Sequence, residues 1–161
     1  MSDFYQNGII TNLHNLRVQD TESLEKELLA FSKVRPMGLV LPSLYSELLS
    51  PALSNIVKEL KDVKYLHQIV IGLDRATKYE YRDALNYFSK LPQEHVVLWN
   101  DGPRLKALDK KLQKLKLAPQ EMGKGRNVWY CFGYLLAANQ VESVALHDCD
   151  IVTYTRDLLA R

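Results

Sequence analysis

Neither of the glycine signatures that mark a dinucleotide crevice or a P-loop is present in this chain. There is no Gly-x-Gly-x-x-Gly and no Gly-x-x-x-x-Gly-Lys-Ser/Thr among its 161 residues, so neither site is supported. Only two cysteines occur, Cys131 and Cys149, which gives no disulfide framework and no zinc spacing. No apolar run approaches the roughly 20 residues of a membrane span. The start, Met1-Ser2-Asp3-Phe4-Tyr5, has neither the basic segment nor the apolar block of a signal peptide. Charge of one sign is also missing: the net is +2, and no global field argues for nucleic acid. A reduced, cytoplasmic protein without a membrane span is the expectation.

What is present is the pattern of a single α/β domain. Four short apolar runs stand at Gly38-Leu39-Val40-Leu41, Ile69-Val70-Ile71-Gly72-Leu73, His95-Val96-Val97-Leu98-Trp99 and Ser143-Val144-Ala145-Leu146. Each is nearly continuous, as in parallel strands covered on both faces. Helical spacing lies between them. Ser50 and Pro51 open a helix whose Leu53, Ile56, Val57 and Leu60 share one face. Tyr81, Ala84, Leu85 and Phe88 repeat the spacing, then Leu105, Leu108, Leu112 and Leu115, with Lys106, Lys110, Lys111, Lys114 and Lys116 on a solvated side. Val128, Phe132, Leu135 and Leu136 line a further helix. An earlier helix enters near Asp20 or Thr21, carries Leu24, Leu28 and Phe31, and ends by Pro36. Strands alternating with helices predict βαβ units and a mainly parallel three-layer α/β/α sheet. Residues 1–36 read as an N-terminal extension with a helix, and 37–161 as the sheet domain.

The most informative residues are His147-Asp148-Cys149-Asp150-Ile151, which follow what reads as a buried strand. Aspartates at i and i+2 project the same way, so two carboxylates can converge on one hard cation. Strand ends in open α/β sheets are also where ligands bind. Cys149 points away from such a cation and is assigned no chemistry, and His147 reads as a packed or hydrogen-bonded side chain. Trp129 and Tyr130 read as core or rim. Upstream stands Met122-Gly123-Lys124-Gly125-Arg126-Asn127. Its glycines let the backbone approach a ligand, and Lys124 and Arg126 suit phosphate oxygens beside a helix N-terminus. A diphosphate leaving group needs cations, here a divalent metal held by acids together with a basic residue. After the first strand comes Leu41-Pro42-Ser43-Leu44-Tyr45-Ser46-Glu47, which reads as a strand-to-helix turn when taken alone. After the second comes Asp74-Arg75-Ala76-Thr77, whose acid serves equally well as an acceptor for base or ribose or as a helix cap.

Taken together, these segments resemble the nucleotide-diphospho-sugar glycosyltransferases of the GT-A fold. Within that fold they resemble the retaining group that contains glucosyl-3-phosphoglycerate synthase. The family's Leu-Pro-x-Leu-x-x-Glu is matched by Leu41, Pro42, Leu44 and Glu47, and its acidic turn by Asp74 with Arg75. Its Gly-Lys-Gly-x-x-x-Trp is matched by Gly123, Lys124, Gly125 and Trp129, and its Asp-x-Asp by Asp148 and Asp150. Asp3-Phe4-Tyr5-Gln6-Asn7-Gly8 with Leu13-His14 is similar to the start of some bacterial members. Tyr45-Ser46, Arg126 and Asn127 depart from the pattern.

The resemblance implies that Leu41, Pro42, Ser43, Leu44, Glu47, Asp74 and Arg75 hold base and ribose, and that Lys124 approaches the nucleotide. It implies Asp150 as the direct Mg²⁺ or Mn²⁺ ligand, with Asp148 reaching ribose or metal-bound water. The implied substrates are a UDP- or GDP-hexose and a small phosphorylated acceptor such as 3-phosphoglycerate. No catalytic nucleophile is identifiable. The chain stops eleven residues beyond Asp150, where the family continues into its acceptor site. It therefore reads as the donor-binding half, truncated after the Asp-x-Asp, inactive alone and inclined to pair as a homodimer through the edge left open. The rival readings are a sugar-nucleotidyltransferase, disfavoured because that family's Gly-rich, Arg-containing N-terminal loop is missing, and a non-catalytic nucleotide-binding or interaction domain.

Overall fold

A computed structural model describes residues 20–161; the motif at Asp3–Gly8 with Leu13-His14 lies outside the described residues. The order is α1 (Thr21–Ser32), β1 (Met37–Leu44), a 3-10 turn (Tyr45–Leu49), α2 (Pro51–Leu60), β2 (Leu66–Asp74), α3 (Lys78–Phe88), β3 (Glu94–Trp99), α4 (Pro103–Lys114), α5 (Lys124–Ala138), β4 (Ser143–Leu146) and α6 (Arg156–Ala160).

Local chemistry sets these boundaries. The Asp20 carboxylate accepts from Ser23 N–H and the Ser50 hydroxyl from Leu53 N–H, so each supplies an orphan helix donor with its partner. Thr77 and Glu80 form a reciprocal capping box at α3. Asn139 ends α5 in the left-handed region at φ 52°.

The four strands are parallel in the order β3-β2-β1-β4. The chain steps outward from β1 to β2 to β3, then returns to place β4 on the other side of β1. That reversal puts the topological switch point at the C-terminal end of β1, where open α/β sheets leave a crevice. One face of the sheet, through Leu39, Leu41, Ile69, Ile71 and Leu73, packs against Leu53, Ile56, Leu60, Ala84 and Phe88. The other carries Val40 and Val70 under Cys131 and Leu135 of α5. The layers are α/β/α.

Three expectations need correction. β1 runs through Pro42 and Ser43 to Leu44, so this stretch is the last part of a strand rather than a loop. β4 is an edge strand, not a buried one: Val144 and Leu146 are exposed because nothing described pairs beyond it. Helix α5 is also turned about its axis. It buries Asn127, Tyr130, Cys131 and Leu135, whereas Phe132 and Leu136 face outward. Gly72 explains how closely it packs. A Cβ there would lie 1.8 Å from Asn127 Oδ1 and 2.6 Å from Cys131 Sγ, so only glycine lets α5 approach β2 at this point.

Candidate donor-nucleotide site

Parallel register brings Pro42 beside Gly72, Ser43 beside Leu73 and Leu44 beside Asp74 at the C-terminal ends of β1 and β2. Here a cleft of about 190 Å³ is lined by Pro42, Ser43, Leu44, Glu47, Asp74, Arg75, Gly123, Lys124 and Asn127. Its volume falls below the ~300–1,000 Å³ typical of whole-ligand pockets. It can enclose only part of a ligand of that size, with the rest lying outward.

The lining is built by local hydrogen bonds. Glu47 accepts from Leu44 N–H at 2.8 Å with one carboxylate oxygen, which fixes the turn that follows β1. Asp74 accepts from Arg75 N–H at 3.1 Å, and Arg75 takes the left-handed conformation at φ 53°. The next residue is held from the end of β3 and the turn after it: Trp99 Nε1 donates to Ala76 O at 2.8 Å, and Asp101 accepts from Ala76 N–H at 3.1 Å. Tyr81 stacks on Trp99 with centroids 4.9 Å apart. The Asp74-Arg75 turn is therefore braced by an aromatic pair beneath it, a support the sequence did not reveal.

Helix α5 closes the cleft with its first turn. Gly123 sits at φ 140°, where a side chain would be strained, and a Cβ at Gly123 or Gly125 would meet nothing within 4 Å. The backbone of this turn is open to a ligand. Asn127, missed as a site residue from sequence, is 3% exposed and donates from Nδ2 to Gly72 O at 2.7 Å. Lys124 forms an ion pair with Asp148, which brings the basic loop and the acidic motif together across the switch point. Arg126 is placed differently from expectation. It turns away to Asp109 of α4 at 3.1 Å and lies over the Tyr130 ring, so it is a strut rather than a free phosphate ligand.

Leu41 is wholly buried in the core and does not line the cleft. Past β4, Asp148 is half-buried, Cys149 is buried in the main core and Asp150 is exposed. Cys149 therefore points inward between two outward acids. Burial pushes its thiol up to about 12. His147 Nδ1 lies 3.0 Å from the Tyr154 hydroxyl, and burial holds this imidazole below its ordinary value, against an opposing pull from Asp148. Its ring also meets that of Tyr154 edge-on, with centroids 5.4 Å apart. Among the described residues no three His, Cys, Asp or Glu side chains are grouped to hold a metal by themselves. The donor set still fits a hard divalent cation. Two carboxylates stand at one strand end, one already answered by an ammonium, and Mg²⁺-like ions usually take one or two carboxylates and complete their shell with phosphate oxygens and water.

No protein-family model matches the chain. Over all of its length it is 48% identical to a glucosyl-3-phosphoglycerate synthase from Persephonella marina, covering 40% of that protein. Over 99% of its length it is 38% identical to one from Methanococcoides burtonii, covering 39% of it. This chain is similar to glucosyl-3-phosphoglycerate synthase from end to end. It spans about two fifths of the length of the curated relatives it matches. The crystal structure of the Mycobacterium tuberculosis synthase with phosphoglyceric acid matches 91% of this chain and 43% of its own, at TM-score 0.53 and 17% identity. That likeness is one of fold, the GT-A arrangement. The same enzyme crystallised with Mn²⁺, uridine diphosphate and glucosyl-3-phosphoglycerate matches 84% of this chain and 40% of its own, at TM-score 0.49 and 20% identity. No helix among the described residues is long and apolar enough to cross a membrane.

Proposed function

We propose that residues 37–161 form the donor-binding part of a retaining glucosyl-3-phosphoglycerate synthase. The whole enzyme transfers glucose from a nucleoside-diphosphate glucose to 3-phosphoglycerate. The observation that carries this reading is the convergence at one switch point. Pro42 to Leu44, Glu47 and Asp74 line a recess for base and ribose, and Lys124 stands beside Asp148 where a diphosphate would leave the recess. Asn127 forms the floor, held to the Gly72 carbonyl. The open turn at Gly123 and Gly125 offers backbone N–H groups and a helix N-terminus to phosphate oxygens.

In this reading Lys124 exchanges its partner Asp148 for the diphosphate when donor and metal bind, and Asp150 with Asp148 holds a divalent metal, Mg²⁺ or Mn²⁺. The metal, when bound, neutralises charge on the departing diphosphate. Lys124 adds a second cation to the same oxygens, and neither role requires a protein nucleophile. The similarity to named synthases over the whole chain favours 3-phosphoglycerate as the acceptor over other small phosphates.

A thermal-shift series tests the reading: UDP, GDP and their glucose conjugates, each with and without Mn²⁺. A ligand that binds only the folded state stabilises it by about 2.7 kcal/mol at 100 times its dissociation constant. A shift with one nucleoside diphosphate that requires the metal is expected. No shift with any of them would refute the proposal.

A further inference from the structure

Helix α4 looks like a solvated, lysine-rich helix, yet its one buried residue is an acid. Asp109 is 6% exposed. Its Oδ1 accepts from the Tyr130 hydroxyl, and its Oδ2 accepts from Gln113 Nε2 at 2.7 Å and pairs with an Arg126 terminal nitrogen at 3.1 Å. Both Arg126 and Tyr130 belong to the start of α5. Arg126 is itself nearly buried, stacked on Tyr130, and its Nε has no partner among the described residues.

The turn these groups hold carries Lys124. Packing does not hold it on the ligand side, since a Cβ at Gly123 or Gly125 would touch nothing. Apart from the exposed Lys124–Asp148 ion pair and the Arg126–Met122 contact within the loop, two buried polar anchors hold it: Asn127 to the Gly72 carbonyl on the sheet side, and Arg126 with Tyr130 to Asp109 on the α4 side. A buried ion pair is a poor way to gain stability, because desolvation offsets most of the attraction. What it supplies is direction. A carboxylate with three donors, two of them from a single helix, fixes that helix about its axis. This is the same rotation that turns Asn127 toward the cleft and Phe132 away from it.

We propose that Asp109 is a positioning residue for the phosphate end of the donor site, setting the first turn of α5 and through it Lys124. The inference rests on the donor-site reading above. Base and ribose are held by β1, β2 and their turns, which Asp109 does not touch, so its effect should appear on the diphosphate alone.

The test combines calorimetric binding of UDP with Mn²⁺ and of uridine with hydrogen exchange of the ligand-free protein, for Asp109→Asn and Tyr130→Phe. Asp109→Asn is expected to weaken UDP about tenfold or more, the usual size for a supporting group. Uridine should change little, and faster exchange should be confined to residues 123–130. Tyr130→Phe keeps the ion pair and should give a smaller loss of the same kind; it carries the test if Asp109→Asn does not fold. If the unsubstituted protein binds neither UDP better than uridine nor GDP better than guanosine, the donor-site reading itself fails; where GDP is the one bound, the GDP and guanosine pair carries the test. If it prefers UDP but Asp109→Asn weakens UDP and uridine alike, or exchange quickens throughout the sheet, the positioning inference fails while the donor site stands.

Discussion

Lys124→Ala separates the proposed binding role from a structural one, because the two carry very different magnitudes. In the ligand-free protein Lys124 pairs with Asp148, but their side chains are 57% and 43% exposed. Exposed ion pairs contribute about 0–1 kcal/mol, reduced further by salt. Gly123 and Gly125 beside it make no side-chain packing that the substitution could disturb. The melting temperature should therefore move by no more than a few degrees. The contact proposed for the same ammonium toward a diphosphate is charge-assisted and worth roughly 1.5–3 kcal/mol. That corresponds to about a tenfold to 150-fold loss of affinity. Calorimetry with UDP and with uridine, both in the presence of Mn²⁺, reads the difference. UDP should weaken by that factor and uridine should hardly change. Equal losses for the two ligands, or a melting temperature lowered by ten degrees, would mean that Lys124 supports the fold and does not meet phosphate.

Gly72→Ala should destabilise the protein by about 1–3 kcal/mol in denaturant melts, since its Cβ would meet Asn127 and Cys131 inside normal contact. It should also weaken nucleotide binding, because Asn127 must shift. Trp99→Phe removes the bond to Ala76 O and alters the stack with Tyr81. It is expected to cost about 1 kcal/mol and to loosen the Asp74-Arg75 turn, read by calorimetry as weaker binding of the nucleoside and of its diphosphate alike. Burial pushes the thiols of Cys131 and Cys149 from 9.0 up to about 12. An acid raised on folding supports stability below its unfolded pKa and loses that support as pH climbs toward the folded value. Stability should thus be level up to about pH 9 and fall above it, and both thiols should resist a thiol reagent at pH 8 until the chain unfolds. Loss of the slope between about pH 9 and 10 in Cys131→Ala/Cys149→Ala would confirm the cause; above that, burial of Tyr65 and Tyr154, which raises both phenols, keeps a slope of its own.

The sheet was legible because its strands are nearly continuous apolar runs and its helices begin at recognisable caps, Asp20, Ser50 and Thr77 among them. The rotation of α5 was not legible. Its apolar residues alone favour a face through Val128, Phe132, Leu135 and Leu136, whereas the buried face includes Asn127 and Tyr130. Those two polar groups are admitted to the interior by Gly72 O and Asp109, partners distant in sequence that no periodicity can show. Asp109 was hidden for the same reason, as one acid among lysines on a helix that reads as solvated. Strand β4 looked buried because its composition matches that of β1, and only the strand order reveals it as an edge. Those lining residues of the cleft that lie at the ends of β1 and β2 could be placed from sequence. Asn127 and the Trp99-Tyr81 brace could not, since they act across the fold.

The central claim is that a metal-assisted diphosphate site joins the ends of β1 and β2 to Asp148 and Asp150. Titration of UDP into this protein and into Asp150→Asn, with Mn²⁺ and then with EDTA, tests it most directly. The exposed position of Asp150 predicts that the substituted protein folds and melts as before. The account predicts tight binding only for the unsubstituted protein with Mn²⁺, and equally weak binding in the other three cases. Undiminished metal-dependent binding by Asp150→Asn, or binding by the unsubstituted protein that ignores EDTA, would contradict it.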